Sequence, residues 1–300
     1  MTRAYVPLML ALSFLWGASY LFIKVAGREI QPGTMMLTRI GIAAALLVAF
    51  LASRGELGDL RRAPRSAYGL GLLNSAVPFT LIAWGERYID SGVAAIANAS
   101  VPIFVALLAI RLRPDERSTG ARAAGVLLGL VGVGVLTGVS PQGGWWGVAG
   151  TLAVVVASLA YAGAGLWGQH LITRVSGSVL STASLLGAAV LMLPLGLAQA
   201  PHDVPGWKPV LSVLALAVLG TAAAQLVWFR LLRRYGSARS SLVTYLLPVT
   251  ALAYGSVFLD ESLHPSALIG LVLILGGVAL GSGAVRLPRR AALPQEPVSQ

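Results

Sequence analysis

The chain has 300 residues, of which 56% are hydrophobic and only 11% are charged, so a soluble core could not hold all of its apolar side chains. This composition indicates an integral membrane protein. The net charge of +11 comes from short basic clusters between apolar runs, a pattern typical of cytoplasmic loops and not of a nucleic-acid-binding surface. The absence of cysteine excludes disulfides and thiolate metal sites.

A helix needs roughly 20 apolar residues to cross the hydrocarbon layer of a membrane. Ten runs of this kind, numbered here as spans one to ten, predict an all-α membrane fold with helices at residues 5–26, 33–52, 67–86, 91–110, 121–139, 148–171, 179–200, 209–232, 240–258 and 265–285. Residues 286–300 are polar and proline-rich, which predicts a short disordered tail.

Basic residues alternate between the connections. With the amino terminus inside, 17 Lys and Arg residues fall in the inner connections, and the four in outer connections are Lys24, Arg28, Arg87 and Lys208. The positive-inside rule therefore predicts that both termini are cytoplasmic. All 11 acidic residues fall in loops or at span ends, so we expect no mid-membrane carboxylate for proton transfer.

The second half of the chain repeats the first. A shift of 145 residues places Ser13 on Ser158 and Trp16 on Tyr161. Each half then holds five spans, and a repeat with an odd number of spans must lie upside down relative to its copy. The sequence therefore predicts a 5+5 inverted-topology repeat, with five-helix units at residues 1–139 and 148–285.

An Asp-Glu pair precedes the last span of each half, at Asp115-Glu116 and Asp260-Glu261. Arginines surround only the first pair, as expected if the two copies face opposite sides of the membrane. Acidic residues favour the positive end of a helix dipole, so these pairs are predicted to cap spans five and ten.

Several of these features resemble one family. The opening span "FLWGASYLFIKVA", an arginine in span two, prolines in spans four and nine, and an acidic residue before a glycine-rich last span of each half resemble the drug/metabolite transporter superfamily, in its duplicated ten-span EamA group. The chain is most similar to the YddG-type bacterial exporters of aromatic and other amino acids. The resemblance covers nearly the whole chain and implies a bacterial inner-membrane protein whose helices surround a cavity with alternating access.

Prolines mark the predicted binding region. A proline leaves the carbonyl four residues earlier without its helical donor, which pairs Pro78 with Asn74, Pro102 with Asn98 and Pro248 with Thr244. In span eight, Thr221 and Gln225 occupy the places that match Asn74 and Pro78. Inverted-repeat transporters bind substrate where helices are broken near the midplane, so we expect these residues to face a shared cavity. Helix packing alone is the alternative explanation for each pair.

Aromatic residues and one cation complete the predicted site. Ser13, Trp16 and Tyr20 share a helix face, Tyr161 is the repeat mate of Trp16, and Tyr245 could join them from span nine. These rings could stack on an aromatic ligand or attract an ammonium group, or simply pack between helices. Arg39 could attract a carboxylate or carbonyl, extend to the interface, or bond a helix end.

The sequence therefore predicts a secondary transporter that moves neutral or zwitterionic amino acids outward. Export of drugs or other metabolites is the alternative, and a membrane-embedded enzyme or a channel is disfavoured because no clustered acids, histidines or filter repeat occur at span depth. No cofactor, metal or nucleic-acid partner is expected. The expected partners are the lipid bilayer and a small-molecule substrate, and the glycine-rich spans five and ten allow either a monomer or a homodimer.

Overall fold

The computed structural model of the protein describes residues 5–112, 124–125, 127–129, 131–132, 135, 144–262 and 265–281. Every regular element within these residues is helical. The predicted tail and Asp115-Glu116 lie outside the described residues, as does most of predicted span five.

Seven helices form the first part of the chain: α1 (Tyr5–Ala26), α2 (Pro32–Ser53), α3 (Leu57–Arg62), α4 (Arg65–Gly71), α5 (Val77–Gly85), α6 (Ser91–Asn98) and α7 (Val101–Leu112). Six follow: α8 (Gly144–Leu171), α9 (Gly177–Ala198), α10 (Trp207–Ala217), α11 (Ala224–Ser240), α12 (Leu247–Phe258) and α13 (Pro265–Gly281).

Eight helical stretches among the described residues are long and apolar enough to cross a membrane, and α13 contributes a shorter apolar helix. The eight stretches coincide with predicted spans one to four and six to nine. The protein is therefore a multi-pass membrane protein. Hydropathy located these spans well because a lipid-exposed helix must be apolar over its full length.

Spans three and eight share one irregularity. A π-helical turn at Leu72–Ala76 joins α4 to α5, and another at Val218–Ala223 joins α10 to α11. Each turn contains one of the polar residues that the repeat aligns, Asn74 in the first turn and Thr221 in the second. A π-helical turn inserts an extra residue without leaving backbone groups unpaired, which is how a helix within lipid can redirect side chains.

Spans four and nine share a second irregularity. Span four is interrupted between α6 and α7, and span nine begins with a 3₁₀ turn at Ser241–Tyr245 before α12. Pro102 and Pro248 each occupy the second position of the helix that follows. Proline fits there because an N–H group in the first turn of a helix has no helical carbonyl to bond, so the N–H that proline lacks costs no hydrogen bond. The prolines thus start new helices beside Asn98 and Thr244.

The packing follows the repeat. Span one packs on spans eight and nine, span six packs correspondingly on spans three and four, and span two packs on its own mate, span seven. The Gly33 N–H donates to the Gln199 side-chain oxygen at one end of α2 and α9 (2.6 Å). At their other end, the hydroxyl of Ser178, in the first turn of α9, donates to Glu56, just beyond α2 (3.2 Å). These two repeat mates therefore run antiparallel.

The two ends of the helical assembly differ in charge. One end, called the basic end here, includes Arg54, Arg61, Arg62, Arg65, Arg174, Arg230, Arg233, Arg234 and Arg239 among the described residues. Contacts such as the Tyr5 hydroxyl bond to the Arg239 carbonyl hold this end together (2.9 Å). The described basic residues at the opposite end are Lys24, Arg28, Arg87 and Lys208.

A group of polar contacts, called the latch here, closes the end opposite the basic end. The Lys24 ammonium donates to the carbonyls of Glu86 (2.8 Å) and Ile89 (2.7 Å). Glu261 accepts from the Ser91 N–H (2.9 Å) and the Ser91 hydroxyl (2.6 Å). These bonds connect α1, the start of α6 and the segment after α12.

Glu261 therefore caps α6 in span four, which corrects the prediction that this residue of the second Asp-Glu pair caps span ten. The start of α6 offers free N–H groups to an acceptor. The chain turns back at Asp260, whose φ of 56° is in the left-handed region, and this turn accompanies the approach of Glu261 to Ser91. A cap supplied from elsewhere in the fold satisfies the same donors as a local one.

Close packing of α4 on α9 can be tested at Gly71. A Cβ added there would overlap the backbone of Ser184 and Ala188 in α9. We expect Gly71→Ala to lower the free energy of unfolding by about 1–3 kcal/mol, measured as a lower thermal midpoint in detergent. Gly41→Ala is the control, because nothing lies within 4 Å of a Cβ added at Gly41. Equal midpoints for the two variants would contradict this packing.

Candidate functional site

A central cavity lies between the two halves of the repeat, with walls from spans one to four, six, eight and nine. Eight of the residues predicted from the sequence line it: Trp16, Tyr20, Arg39, Asn74, Asn98, Tyr161, Gln225 and Thr244. The structure thus brings together side chains from both halves that are far apart in the sequence.

The other six predicted residues lie outside the cavity lining: Ser13, Pro78, Pro102, Thr221, Tyr245 and Pro248. The carbonyl of Ser13 accepts a hydrogen bond from Thr250, so this residue joins α1 to α12 (3.1 Å). The three prolines stand in the first turns of α5, α7 and α12. They act on the cavity only by setting where these helices begin.

Arg39 is the buried cation of the cavity, with only 2% of its surface exposed. Its Nε donates to the Thr221 hydroxyl (2.7 Å) and its Nη2 to the Gly220 carbonyl (3.3 Å), both in the π-helical turn of span eight. Its guanidinium carbon lies 3.9 Å from the centre of the Phe79 ring. Among the possibilities left open by the sequence, Arg39 bonds a helix irregularity and does not extend to the membrane surface.

The Arg39 guanidinium keeps free hydrogen-bonding capacity. Its Nη1 contacts only the sulfur of Met36 at 3.9 Å within the described chain, which is a weak acceptor. The one ion pair among the described residues joins Arg54 and Glu56, so no carboxylate of this part of the chain pairs with Arg39. A buried arginine in this state can bind an anionic oxygen from a ligand.

Asn98 connects three helices at the break in span four. Its amide donates to the Tyr20 hydroxyl (2.9 Å), and its carbonyl oxygen accepts from the Ser158 hydroxyl (3.1 Å). Asn98 and Ser158 are both fully or almost fully buried. These bonds fix the orientation of the Tyr20 ring at the cavity wall.

Spans three and eight meet through their amide side chains. Asn74 donates to the Gln225 side-chain oxygen (3.3 Å), and the Gln225 amide donates to the Ser75 hydroxyl (3.4 Å). All three residues are buried. One member of each polar pair that the repeat predicted, Asn74 in span three and Gln225 in span eight, is therefore in direct contact at the cavity wall.

Two aromatic pairs form the apolar walls. Trp16 packs against Trp228 with ring centroids 5.5 Å apart, and Phe79 lies edge-on to Tyr161 at 6.3 Å. The sequence reasoning missed Phe79 and Trp228, and no sequence signal separates them from rings that face lipid. Aromatic faces of this kind accept flat apolar groups and cations.

Ser237 is a further cavity residue that sequence reasoning missed. It follows Gly236, whose φ of 76° requires glycine, and its hydroxyl is buried without a hydrogen-bond partner among the described residues. Its N–H donates to the Gln169 side chain (3.2 Å). The "YGS" stretch was the available signal, because glycine followed by serine often marks an irregular backbone.

Tyr245 also has a buried hydroxyl without a partner in the described part of the chain. It packs beside the core instead of lining the cavity.

No group of three or more His, Cys, Asp or Glu residues that could hold a metal occurs among the described residues. The cavity therefore offers a guanidinium, amides, hydroxyls and aromatic rings as its binding groups.

Many transporters are built from two matching helical halves with a polar site between them, as this protein is. The sequence matches the EamA-like transporter family twice, over residues 3–138 and 148–282. The chain belongs to this family, which confirms the resemblance described from the sequence and makes the protein a transporter.

Relatives match almost over their full length. The "Uncharacterized inner membrane transporter YedA" of Escherichia coli (strain K12) is 27% identical over 93% of this chain and 91% of its own length. The "Probable amino-acid metabolite efflux pump" of the same strain is 24% identical over 95% of this chain and 97% of its own. A solved crystal structure with a TM-score of 0.70 and 20% identity covers 95% of this chain and 99% of its own, which supports the fold.

The Asn98 network can be tested by a double-mutant cycle with Tyr20. Asn98→Ala leaves the Tyr20 hydroxyl without its buried partner, whereas the Ser158 hydroxyl keeps the Val154 carbonyl (3.0 Å), so we expect the change to cost about 1–3 kcal/mol of stability. Tyr20→Phe should therefore destabilise the Asn98→Ala protein less than the wild type, measured by thermal unfolding in detergent. Additive losses would contradict a direct Asn98–Tyr20 hydrogen bond.

Proposed function

We propose that this transporter exports amino acids, aromatic ones included, across the bacterial inner membrane by alternating access. The observation that carries the proposal is one cavity that combines Arg39, which has no carboxylate partner within the described chain, with several aromatic rings. A zwitterionic amino acid presents a carboxylate to the arginine and an ammonium or an apolar side chain to the rings. The printed name of the efflux-pump relative supports the same class of cargo.

The geometry suggests how the cargo lies. The Nη1 of Arg39 is the donor that a substrate carboxylate would reach, since Nε and Nη2 already bond span eight. The Trp16–Trp228 pair lines the same cavity and would receive the side chain. The unpartnered Ser237 hydroxyl offers one more donor or acceptor near the basic end. Such convergent polar groups in an otherwise apolar pocket are typical of small-molecule sites.

The proposed topology has ten spans and both termini in the cytoplasm, with units at residues 1–139 and 148–285. The charge difference between the two ends supports this orientation, because arginine-rich connections remain on the cytoplasmic side. The antiparallel pairing of α2 with α9 supports an inverted repeat. The latch then lies at the outer face of the membrane.

The conformation suits an inward-facing state. The latch ties the outer ends of the helices together, and this closure is what supports the assignment. Rocking of one half against the other would release the latch and expose the same cavity to the outside. Each substrate would thus be bound from the cytoplasm and released outward.

The substrate class is tested by reconstitution. Liposomes holding the purified protein should move labelled aromatic amino acids faster than empty vesicles. Trp16→Ala should reduce the rate about 2- to 10-fold, because an aromatic pair contributes about 0.5–1.5 kcal/mol. Trp207→Ala is the control, since Trp207 is 71% exposed at the start of α10 and lies outside the cavity lining. No flux for any amino acid would refute the proposed cargo.

The role of Arg39 is tested by ligand selectivity. L-phenylalanine should stabilise the wild type against heating more than phenethylamine, which has the same ring and amine without a carboxylate. Arg39→Gln should weaken phenylalanine binding about 10- to 100-fold, because hydrogen bonds to charged groups contribute about 1.5–3 kcal/mol. Phenethylamine binding should change little.

The matched control is Arg61→Gln, which removes an exposed arginine at the basic end. It should leave the response to both ligands unchanged. Equal stabilisation of the wild type by phenylalanine and phenethylamine would contradict carboxylate recognition and favour a wider range of metabolites.

A further inference from the structure

Glu86 is a buried acid that the transport site does not use. It directly follows α5 and is 2% exposed. Neither oxygen of its carboxylate has a hydrogen-bond partner among the described residues. The sequence places Glu86 at the end of a span, where an acid is normally hydrated, and the structure instead encloses it beneath the latch.

The charges around Glu86 come from several elements. Lys24 acts on it from α1, Arg39 from α2 and Glu261 from the segment after α12, and the Tyr20 hydroxyl of α1 is also within electrostatic range. α8 packs against the end of α5 through Gly150 and Val154. Lys24 is the main candidate counter-ion, but its ammonium donates to the backbone carbonyls of Glu86 and Ile89.

This environment opposes a negative charge on Glu86. The residue stands at the carboxyl end of α5, where the helix dipole is itself negative. An ionised carboxylate that is buried without hydrogen bonds loses its hydration and gains little in return. The attractions of Lys24 and Arg39 are smaller than this loss of hydration, and Glu261, which carries a like charge, offsets them in part. The closed latch therefore accommodates the neutral acid better than the carboxylate.

We propose that Glu86 is a proton-binding site of the latch. Its carboxylate takes a proton from the outer solution as the latch closes, and returns the proton to that solution when the latch opens. One O–H bond forms and later breaks, and no other group is changed. This inference deepens the proposed function, because it rests on opening of this end during transport. Acid outside the cell would then favour the inward-facing state.

The lack of cysteine in the chain allows a direct test by labelling. Ile89→Cys places a single thiol in the latch, at a residue that is 5% exposed. Its reaction with a membrane-impermeant maleimide on intact cells measures how often the latch opens. Trp207→Cys, at an exposed position, gives the intrinsic effect of pH on the reagent. The ratio of the Ile89→Cys rate to the Trp207→Cys rate should fall as the outer pH is lowered, because protonated Glu86 favours the closed latch, by at most about tenfold per pH unit for one proton.

Removing the titrating group should remove this dependence. In the Ile89→Cys background, Glu86→Gln should give a low ratio that no longer changes with pH, and Glu86→Leu should do the same if the amide disturbs folding. Glu29→Gln is the matched control, because Glu29 accepts from the Gly206 N–H at the same end (2.6 Å) and should leave the slope intact. Glu261→Gln should weaken the bonds to Ser91, so the labelling ratio should be higher at every pH while its slope against pH stays the same.

Two results would overturn the proposal. One is a labelling ratio in the wild-type background that stays constant with pH, and the other is an unchanged slope in both Glu86→Gln and Glu86→Leu. The experiment uses no amino acid, so a failure to find flux in liposomes counts against the proposed cargo and not against the proton site.

Discussion

The contact between Arg39 and the π-helical turn of span eight organises the cavity. A guanidinium buried within a membrane protein must have its donors satisfied, and the turn supplies both the Gly220 carbonyl and the Thr221 hydroxyl. The same hydroxyl donates to the carbonyl of Leu216, five residues earlier, so it serves the backbone and the arginine together (2.8 Å). One irregular turn thus fixes span two against span eight and aims the remaining donors into the cavity.

Much of this architecture could be predicted from the sequence because it depends on properties that are local to a helix. Span positions follow from apolar length, and broken helices follow from prolines such as Pro102. Rotation about a helix axis is different, since it is set by packing. Phe79 and Trp228 therefore could not be assigned to the cavity, although Trp16 could be, through the aromatic mate that the repeat gives it.

The acids show the second limit of sequence reasoning. Glu86 and Glu261 both fall at span ends, as their positions in the sequence require. Their partners are decided by how a connection folds back over other helices, so Glu261 caps α6 and Glu86 is enclosed without a donor in the described chain. Neither outcome has a signature within a few residues of the acid itself.

The repeat also pairs Lys24 with Gln169, 145 residues later. Both side chains bond the backbone that follows the third span of a half: Lys24 binds the carbonyls of Glu86 and Ile89, and Gln169 accepts from the Ser237 N–H. Lys24 makes two hydrogen bonds from a charged group, whereas Gln169 makes one hydrogen bond from a neutral group. The two ends of the molecule are therefore held with unequal strength, because two charge-assisted hydrogen bonds at the latch oppose one neutral hydrogen bond at the basic end, so the two ends should not separate with equal ease.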